Sequence, residues 1–292
     1  MEKAFLSPPE IAAEFIETGA KKISNSARSL ILLGIMAGAF IAFASQGSNY
    51  AIHDMESVGL AKALAGALFA TGLFLVVVAG GELFTGNCLI VISCLSGRSK
   101  WSGLLRNWLL VYLGNFIGSV LVAILICGSG QLNASNGALG GFTIKLAVYK
   151  TGLSFGNAFI LGVLCNCLVC LAVWMAAGAK DIAGKLLAVF FPVWLFVASG
   201  FEHSIANMYY IPAGILAKRN PVWVAEAFRL GVAQESLDAL NIGSFLTKNL
   251  IPVTLGNIVG GALFVGVSYW LCYLYKGKAA DMPVDTREKS SI

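Results

Sequence analysis

The chain has 292 residues, of which 58% are apolar and only 12% charged, with a formal net charge of +5; a soluble domain carries about 25% charged residues. The apolar residues come in long blocks with neither strand alternation nor a single helical stripe, which excludes an ordinary soluble domain and makes this a polytopic membrane protein. The positive charges sit at block ends and form no cluster, so no nucleic-acid partner is expected.

Residues 1–28 are polar and include Lys3, Glu10, Glu14, Glu17, Lys21, Lys22 and Arg28, without the apolar core of a cleaved signal. Ser7-Pro8-Pro9-Glu10 reads as a helix start with a capping box, and Ile11, Phe15, Gly19 and Ile23 recur at helical spacing. The segment is therefore a cytoplasmic amphipathic N-terminal helix, at the membrane surface or under the bundle. A six-helix transmembrane channel domain over 29–276 and a cytoplasmic tail over 277–292 complete the expected organisation.

The first span is expected over 29–48, followed by a polar loop to Glu56. From Ala63 to Gly97 the chain is apolar except at Glu82 to Asn87; it is too long for one span and too short for two, which predicts a broken helix. Further spans are expected over 103–127 and 154–178, with a loop over 131–141 and a short interfacial piece over 142–151 between them. Residues 186–217 repeat the broken pattern at Ser199 to Ser204. A polar, partly helical stretch follows to Lys248, and the last span covers 249–275.

Asn107, Val111, Leu113, Gly114, Asn115 and Gly118 reappear as Asn249, Val253, Leu255, Gly256, Asn257 and Gly260 at a constant offset of 142. The third and sixth spans thus correspond, and a broken segment precedes each. Two halves of three spans place equivalent helices in opposite directions, an inverted repeat. With the N-terminus inside, thirteen Lys and Arg residues fall on the cytoplasmic side and seven outside, which puts both termini in the cytoplasm of a cell-membrane protein.

Polar groups within membrane spans are costly and mark functional sites. Gly80-Gly81-Glu82-Leu83-Phe84-Thr85-Gly86-Asn87 and Ser199-Gly200-Phe201-Glu202-His203-Ser204-Ile205-Ala206-Asn207 are two such stretches. At a break, freed amides and half-helix N-termini offer partial positive charge, suited to an anion. His203 is the one histidine in a span; a lone buried histidine is ordinarily a satisfied core residue, but its place in a break argues for function. Glu202 is its sequence neighbour and would face elsewhere on a continuous helix, towards backbone or Asn groups. The seven cysteines all lie in apolar runs and read as small apolar residues. No metal centre, cofactor or enzymatic activity is expected.

These motifs resemble the formate/nitrite transporter family of small-anion channels. The resemblance rests on Gly-Glu-Leu-Phe-Thr-Gly-Asn at 81–87, Asn-Trp-Leu-Leu-Val-Tyr-Leu-Gly-Asn at 107–115, Asn-Cys-Leu-Val-Cys-Leu-Ala-Val-Trp-Met at 166–175 and Gly-Phe-Glu-His-Ser-Ile-Ala-Asn-Met at 200–208, in order across the chain. It implies an all-α homopentamer of aquaporin-like protomers in the lipid bilayer, each with its own pore for a small monovalent anion. It further implies His203 as a central histidine facing Thr85, with Glu202 and Asn166 as polar positions of the centre. Leu73 and Leu83 would form the cytoplasmic constriction, Phe69, Val169 and Phe196 the outer one, and Lys150 would lie in the vestibule. The loop departs from formate channels of the family in carrying Glu82 for Asp and Thr85-Gly86-Asn87 for Thr-Ser-Thr, so formate, nitrite and hydrosulfide all stand as substrates.

The mechanism this implies has Lys150 and the broken-helix dipoles drawing in the anion, while His203 and Thr85 hydrogen-bond it and share a proton as it crosses. The alternative is a secondary transporter that uses the broken helices to bind a larger metabolite.

Overall fold

The computed structural model describes residues 5–275. Among these the protein is helical, with one isolated β-bridge between Phe5 and Ala179. The order is α1 (Pro8–Ser24), α2 (Ala27–Ile52), α3 (Val58–Gly80), α4 (Gly86–Leu95), α5 (Trp101–Gly128), α6 (Ala138–Thr151), α7 (Phe155–Gly178), α8 (Ile182–Ala198), α9 (Ser204–Ala217), α10 (Pro221–Arg229), α11 (Gln234–Ala239) and α12 (Ile242–Tyr273). Five of them, α2, α3, α5, α7 and α12, are long and apolar enough to cross a membrane. The expected tail over 277–292 lies outside the described residues.

Burial is distributed as a bilayer demands. Leu105, Leu109, Leu113, Leu121 and Ile124 of α5 face outwards, while Asn107, Asn115 and Ser119 of the same helix are buried. In water that pattern would be costly; against hydrocarbon it hides the polar groups and exposes the apolar ones. This is a multi-pass membrane protein.

Both predicted breaks are present. The last turns of α3, from Leu75, are widened, and the helix ends at Gly80 with φ +97°; α8 ends just before Gly200 with φ +73°. Only glycine adopts such a left-handed turn without steric cost. The chain then crosses in extended form and restarts as α4 and α9.

Several boundaries differ from the sequence reading. The first span runs on to Ile52 through residues expected as loop; its polar end is accommodated with Ser48 and Asn49 buried and the Ser48 hydroxyl donating to carbonyls of Ala44 and Ala65. The piece expected as interfacial is a full helix, α6, which packs on α9 and buries Lys150. The last helix begins at Ile242, seven residues before the predicted start, capped by the Asn241 side chain. The capping box of α1 forms as read: the Glu10 carboxylate accepts the amide and hydroxyl of Ser7. This helix lies under the bundle, with Phe15 stacked on Trp174 at 5.3 Å and Gly19 against Ser93.

The repeat governs packing as well. α2 packs on α5 as α7 packs on α12, and α3 packs against α8. Glycines let the helices close: a Cβ on Gly38 would lie 2.2 Å from the Asn115 carbonyl oxygen, and one on Gly256 2.1 Å from that of Phe159. Gly256→Ala should therefore destabilise the assembly by about 1–3 kcal/mol through overpacking. Gly47→Ala, also within a helix but with nothing within 4 Å, should be neutral or stabilising by up to about 1 kcal/mol. Thermal unfolding of the two purified variants checks the contrast.

Candidate functional site

The two breaks are built by the same side chains in the same roles. After α3, the Glu82 amide donates to the Leu33 carbonyl at 3.1 Å; after α8, Glu202 donates to Leu161 at 3.3 Å. Asn115 then caps the first break. Its Nδ2 donates to the Gly34 and Glu82 carbonyls at 2.8 and 2.9 Å, and its Oδ1 accepts the Phe84 amide at 3.0 Å. Asn257 caps the second in the same way, donating to Gly162 and Glu202 at 2.8 and 3.0 Å and accepting from Ser204 at 2.9 Å. Each buried asparagine thus supplies the partners that unwound backbone would otherwise find only in water.

A second matched pair of networks holds the carboxylates. Glu82 accepts from Lys22 of α1 at 2.8 Å and from Asn87 at 2.7 Å; Asn87 also donates to Asn107 at 2.9 Å, and Asn107 donates to the Lys22 carbonyl at 3.1 Å. Glu202 accepts from Lys150 of α6 at 2.8 Å and from Asn207 at 2.6 Å. Asn207 donates to Asn249 at 2.7 Å, and Asn249 to the Lys150 carbonyl at 2.9 Å. α1 is therefore the counterpart of α6, and Lys22 and Lys150 stand at the same offset of 128 as Gly34 and Gly162.

The breaks meet at Thr85 and His203, whose Oγ1 and Nε2 lie 3.1 Å apart, both buried. His203 caps α9: its Nδ1 accepts the Ala206 amide at 3.1 Å. An accepting Nδ1 places the proton of the neutral ring on Nε2, which therefore presents an N–H to the Thr85 hydroxyl. Sharing a further proton through Nδ1 would break the cap and put positive charge at a helix N-terminus, so the geometry makes His203 a hydrogen-bond donor first.

Apolar groups enclose this pair. Phe69 and Phe196 meet edge to face at 5.7 Å between ring centres, and the two rings lie 6.5 and 6.0 Å from the His203 imidazole. Val169, Leu73 and Leu83 belong to the same buried cluster. Leu73 and Leu83 also line a cavity of about 410 Å³ that opens beside α1, with Lys22, Glu82, Val76 and Lys185 in its wall.

The remaining candidates sit elsewhere. Lys150 is buried against Glu202, its ammonium 5.3 Å above the Tyr210 ring, so it stands in an ion pair rather than free in a vestibule. Glu202 spends its oxygens on Lys150, Asn207 and Asn249. Asn166 donates to the Thr85 carbonyl at 3.2 Å and to the Asn257 carbonyl at 2.6 Å. Sequence reasoning includes Asn87 and Asn207 in the two polar stretches without giving them a role, and misses Lys22 and the asparagines at 107, 115, 249 and 257 as parts of the site. The repeat contains the signal for four of them, since Asn107 with Asn249 and Asn115 with Asn257 are costly buried amides kept in both halves.

Paired broken helices that meet at buried hydrogen-bond donors define a membrane transport protein of the two-repeat class. The chain belongs to the formate/nitrite transporter family, whose model matches residues 9–271. It is 41% identical to the formate channel FocA of Escherichia coli K12 over 274 residues, covering 92% of this chain and 95% of that one. It is 38% identical over 292 residues to a probable formate transporter of Methanothermobacter thermautotrophicus, covering 94% and 99%. Among solved structures, a pentameric formate channel with formate bound aligns at TM-score 0.74 and 40% identity, covering 85% of this chain and 98% of that chain.

The two ion pairs differ in exposure: the Lys150 and Glu202 side chains are 9% and 1% exposed, those of Lys22 and Glu82 28% and 8%. Removing one partner of a buried pair costs about 3–5 kcal/mol. Lys150→Met should therefore destabilise more than Lys22→Met, and adding Glu202→Gln to Lys150→Met should recover part of the loss. Thermal unfolding of the three variants measures both effects.

Proposed function

We propose that this protein is a channel for small monovalent anions, formate foremost, with nitrite and hydrosulfide as further permeants. The observation that carries this reading is the Thr85–His203 pair: two donors at 3.1 Å, where two helix breaks meet inside an apolar sleeve. A bare anion entering such a sleeve loses its hydration, and the cost falls steeply where hydrogen-bond donors replace the water. The Thr85 hydroxyl donates to the anion, the His203 Nε2–H exchanges its Thr85 acceptor for the anion to supply a second donor, and the N-termini of α4 and α9 add partial positive charge beside them. Leu73 with Leu83 on the α1 side, and Phe69, Phe196 and Val169 on the other, form the constrictions that exclude larger and more strongly hydrated ions. Glu202 and Asn166 support the centre from behind.

The assembly is a homopentamer, each protomer with its own pore, in keeping with the pentameric formate channel to which the chain is similar. The N-terminal helix and both termini face the cytoplasm, which makes the cavity beside α1 the cytoplasmic mouth, and the membrane is the cell membrane. The relatives are named as channels and transporters, and no enzymatic step is assigned.

The test is a liposome panel of formate, nitrite, hydrosulfide, chloride and acetate, run on the parent and on His203→Asn. Asparagine is a good helix cap but is too short to serve the cap and reach Thr85. One hydrogen bond to a charged group is worth about 1.5–3 kcal/mol, so formate flux should fall by roughly ten- to a hundredfold while the oligomer stays intact. A parent that passes none of the small anions, or carries only a bulkier solute, overturns the channel. A variant with the parent's flux and anion ranking removes His203 from the filter.

A further inference from the structure

The first break carries a support that the second lacks. The Thr85 carbonyl accepts three donors: Asn166 Nδ2 at 3.2 Å, Cys170 Sγ at 3.3 Å and the Cys88 amide at 3.4 Å. The carbonyl before it, of Phe84, accepts the Cys88 thiol at 3.7 Å. Asn166 and Cys170 stand one helical turn apart on α7 and present their donors from one face. All three side chains converge on Gly261 of α12, where an added Cβ would lie 2.4 Å from Asn166 Nδ2, 2.7 Å from Cys170 Sγ and 2.8 Å from Cys88 Cβ. The glycine thus leaves the space that lets the donors reach the loop.

The repeat makes this feature informative. Gly162 of α7 corresponds to Gly34 of α2, each accepting from the matched asparagine. Counting on from them, Asn166 and Cys170 correspond to Gly38 and Ala42, which have no side-chain donor. From side chains, the carbonyl of Ile205, the counterpart of Thr85, receives one long bond of 3.5 Å, from Ser119. The asparagine caps of the two halves reproduce each other bond for bond, and the carboxylate networks do so apart from an added Asn249–Glu202 bond of 3.2 Å, so the donors from α7 belong to the Thr85 loop in particular. Cys170 is wholly buried and unpaired with any other cysteine, and the proposed anion contacts do not involve it.

We infer that Cys170 is a positioning residue of the filter: its thiol, with the Asn166 amide, fixes the Thr85 carbonyl and so aims the Thr85 hydroxyl at His203. Holding the carbonyl from three sides leaves the residue little freedom to rotate, and the hydroxyl stays at 3.1 Å from Nε2. A thiol is a weak donor, so the hold is softer than a hydroxyl would give. The inference rests on the reading of Thr85 and His203 as the anion filter.

The experiment compares Cys170→Ala, Cys170→Ser, Gly261→Ala and Cys165→Ala with the parent in liposomes, reading the ratio of formate to chloride flux and the thermal stability of the oligomer. Cys165 is a buried cysteine of the same helix that lies more than a turn before Cys170, and serves as the packing control. Loss of one modest hydrogen bond should lower the ratio about three- to tenfold in Cys170→Ala, and in Gly261→Ala through crowding. Cys170→Ser, which keeps a donor, should stay within about twofold of the parent. Cys165→Ala should lose stability comparably to Cys170→Ala with its ratio unchanged. The inference is overturned if Cys170→Ala keeps the parent ratio, if Cys170→Ser falls as far as the alanine variant, or if Cys165→Ala falls with it. Should Cys170→Ala not assemble, the infrared S–H band present in the parent and missing from Cys170→Ser decides: a hydrogen-bonded frequency supports the inference and a free-thiol frequency overturns it. A parent selective for formate whose selectivity depends on His203 but not on Cys170 sinks this inference alone; a parent without anion flux sinks the filter reading first.

Discussion

Everything in this protein depends on satisfying unwound backbone where there is no water. An unpaired amide or carbonyl at membrane depth costs several kcal/mol, and each break frees a group of them. The chain answers twice with one device: a left-handed glycine to end the helix, an asparagine from the third helix of the repeat to cap the extended stretch, and a carboxylate to tie the restarting helix. Because the asparagine also bonds a carbonyl of the neighbouring helix, the break is fixed to the scaffold rather than hung between two half-helices. The centre of the protein can then hold donors at set positions instead of a flexible loop.

The departures from symmetry set what the two breaks present to each other. At matched places the two breaks hold Leu83 and His203, Phe84 and Ser204, Thr85 and Ile205. The first break thus contributes a leucine and a hydroxyl, the second an imidazole and an apolar side chain. Brought together, they place polar groups from both halves at one point, with Thr85 Oγ1 3.1 Å from His203 Nε2. Two copies of the first break would have given two hydroxyls and no imidazole at the centre, and two copies of the second the reverse. The added hold of Asn166 and Cys170 on the Thr85 carbonyl belongs to the same division of labour. The break with the small polar residue needs more support than the break whose histidine is already pinned by its own helix cap.

The membrane class, the two breaks and the repeat are legible in the sequence because each rests on a signal along the chain: block length, glycines within apolar runs, and matched residues at one offset. The Thr85–His203 encounter is reachable only by resemblance, since nothing local says that residues 85 and 203 meet. Helix ends are hard to place where polar residues lie inside helices, as at Ser45 and Ser48, whose hydroxyls return to their own backbone. Residue type does not separate such an inward-facing serine from a loop serine. The role of Lys22 is hidden for another reason. Lys22 and Lys150 lie 128 residues apart, an offset shared with Gly34 and Gly162 but different from the 142 of the last spans, and it takes their bonds to Glu82 and Glu202 to show what the two lysines do.

That equivalence changes what the lysines do. Each network contains one carboxylate and one ammonium, so the formal charges beside the two breaks cancel, and neither Lys22 nor Lys150 is left as a free attractor. What stays uncompensated is the partial positive charge of two restarting helices, α4 at Gly86 and α9 at Ser204, whose N-termini flank Thr85 and His203. Partial charges of this kind favour an anion without binding it as tightly as an ammonium would. A conducting site has to release its ion on the far side as readily as it takes it in. Neutralising the lysines with buried glutamates therefore serves passage as well as folding: it leaves an attractive field at the centre and no deep electrostatic trap on the way to it.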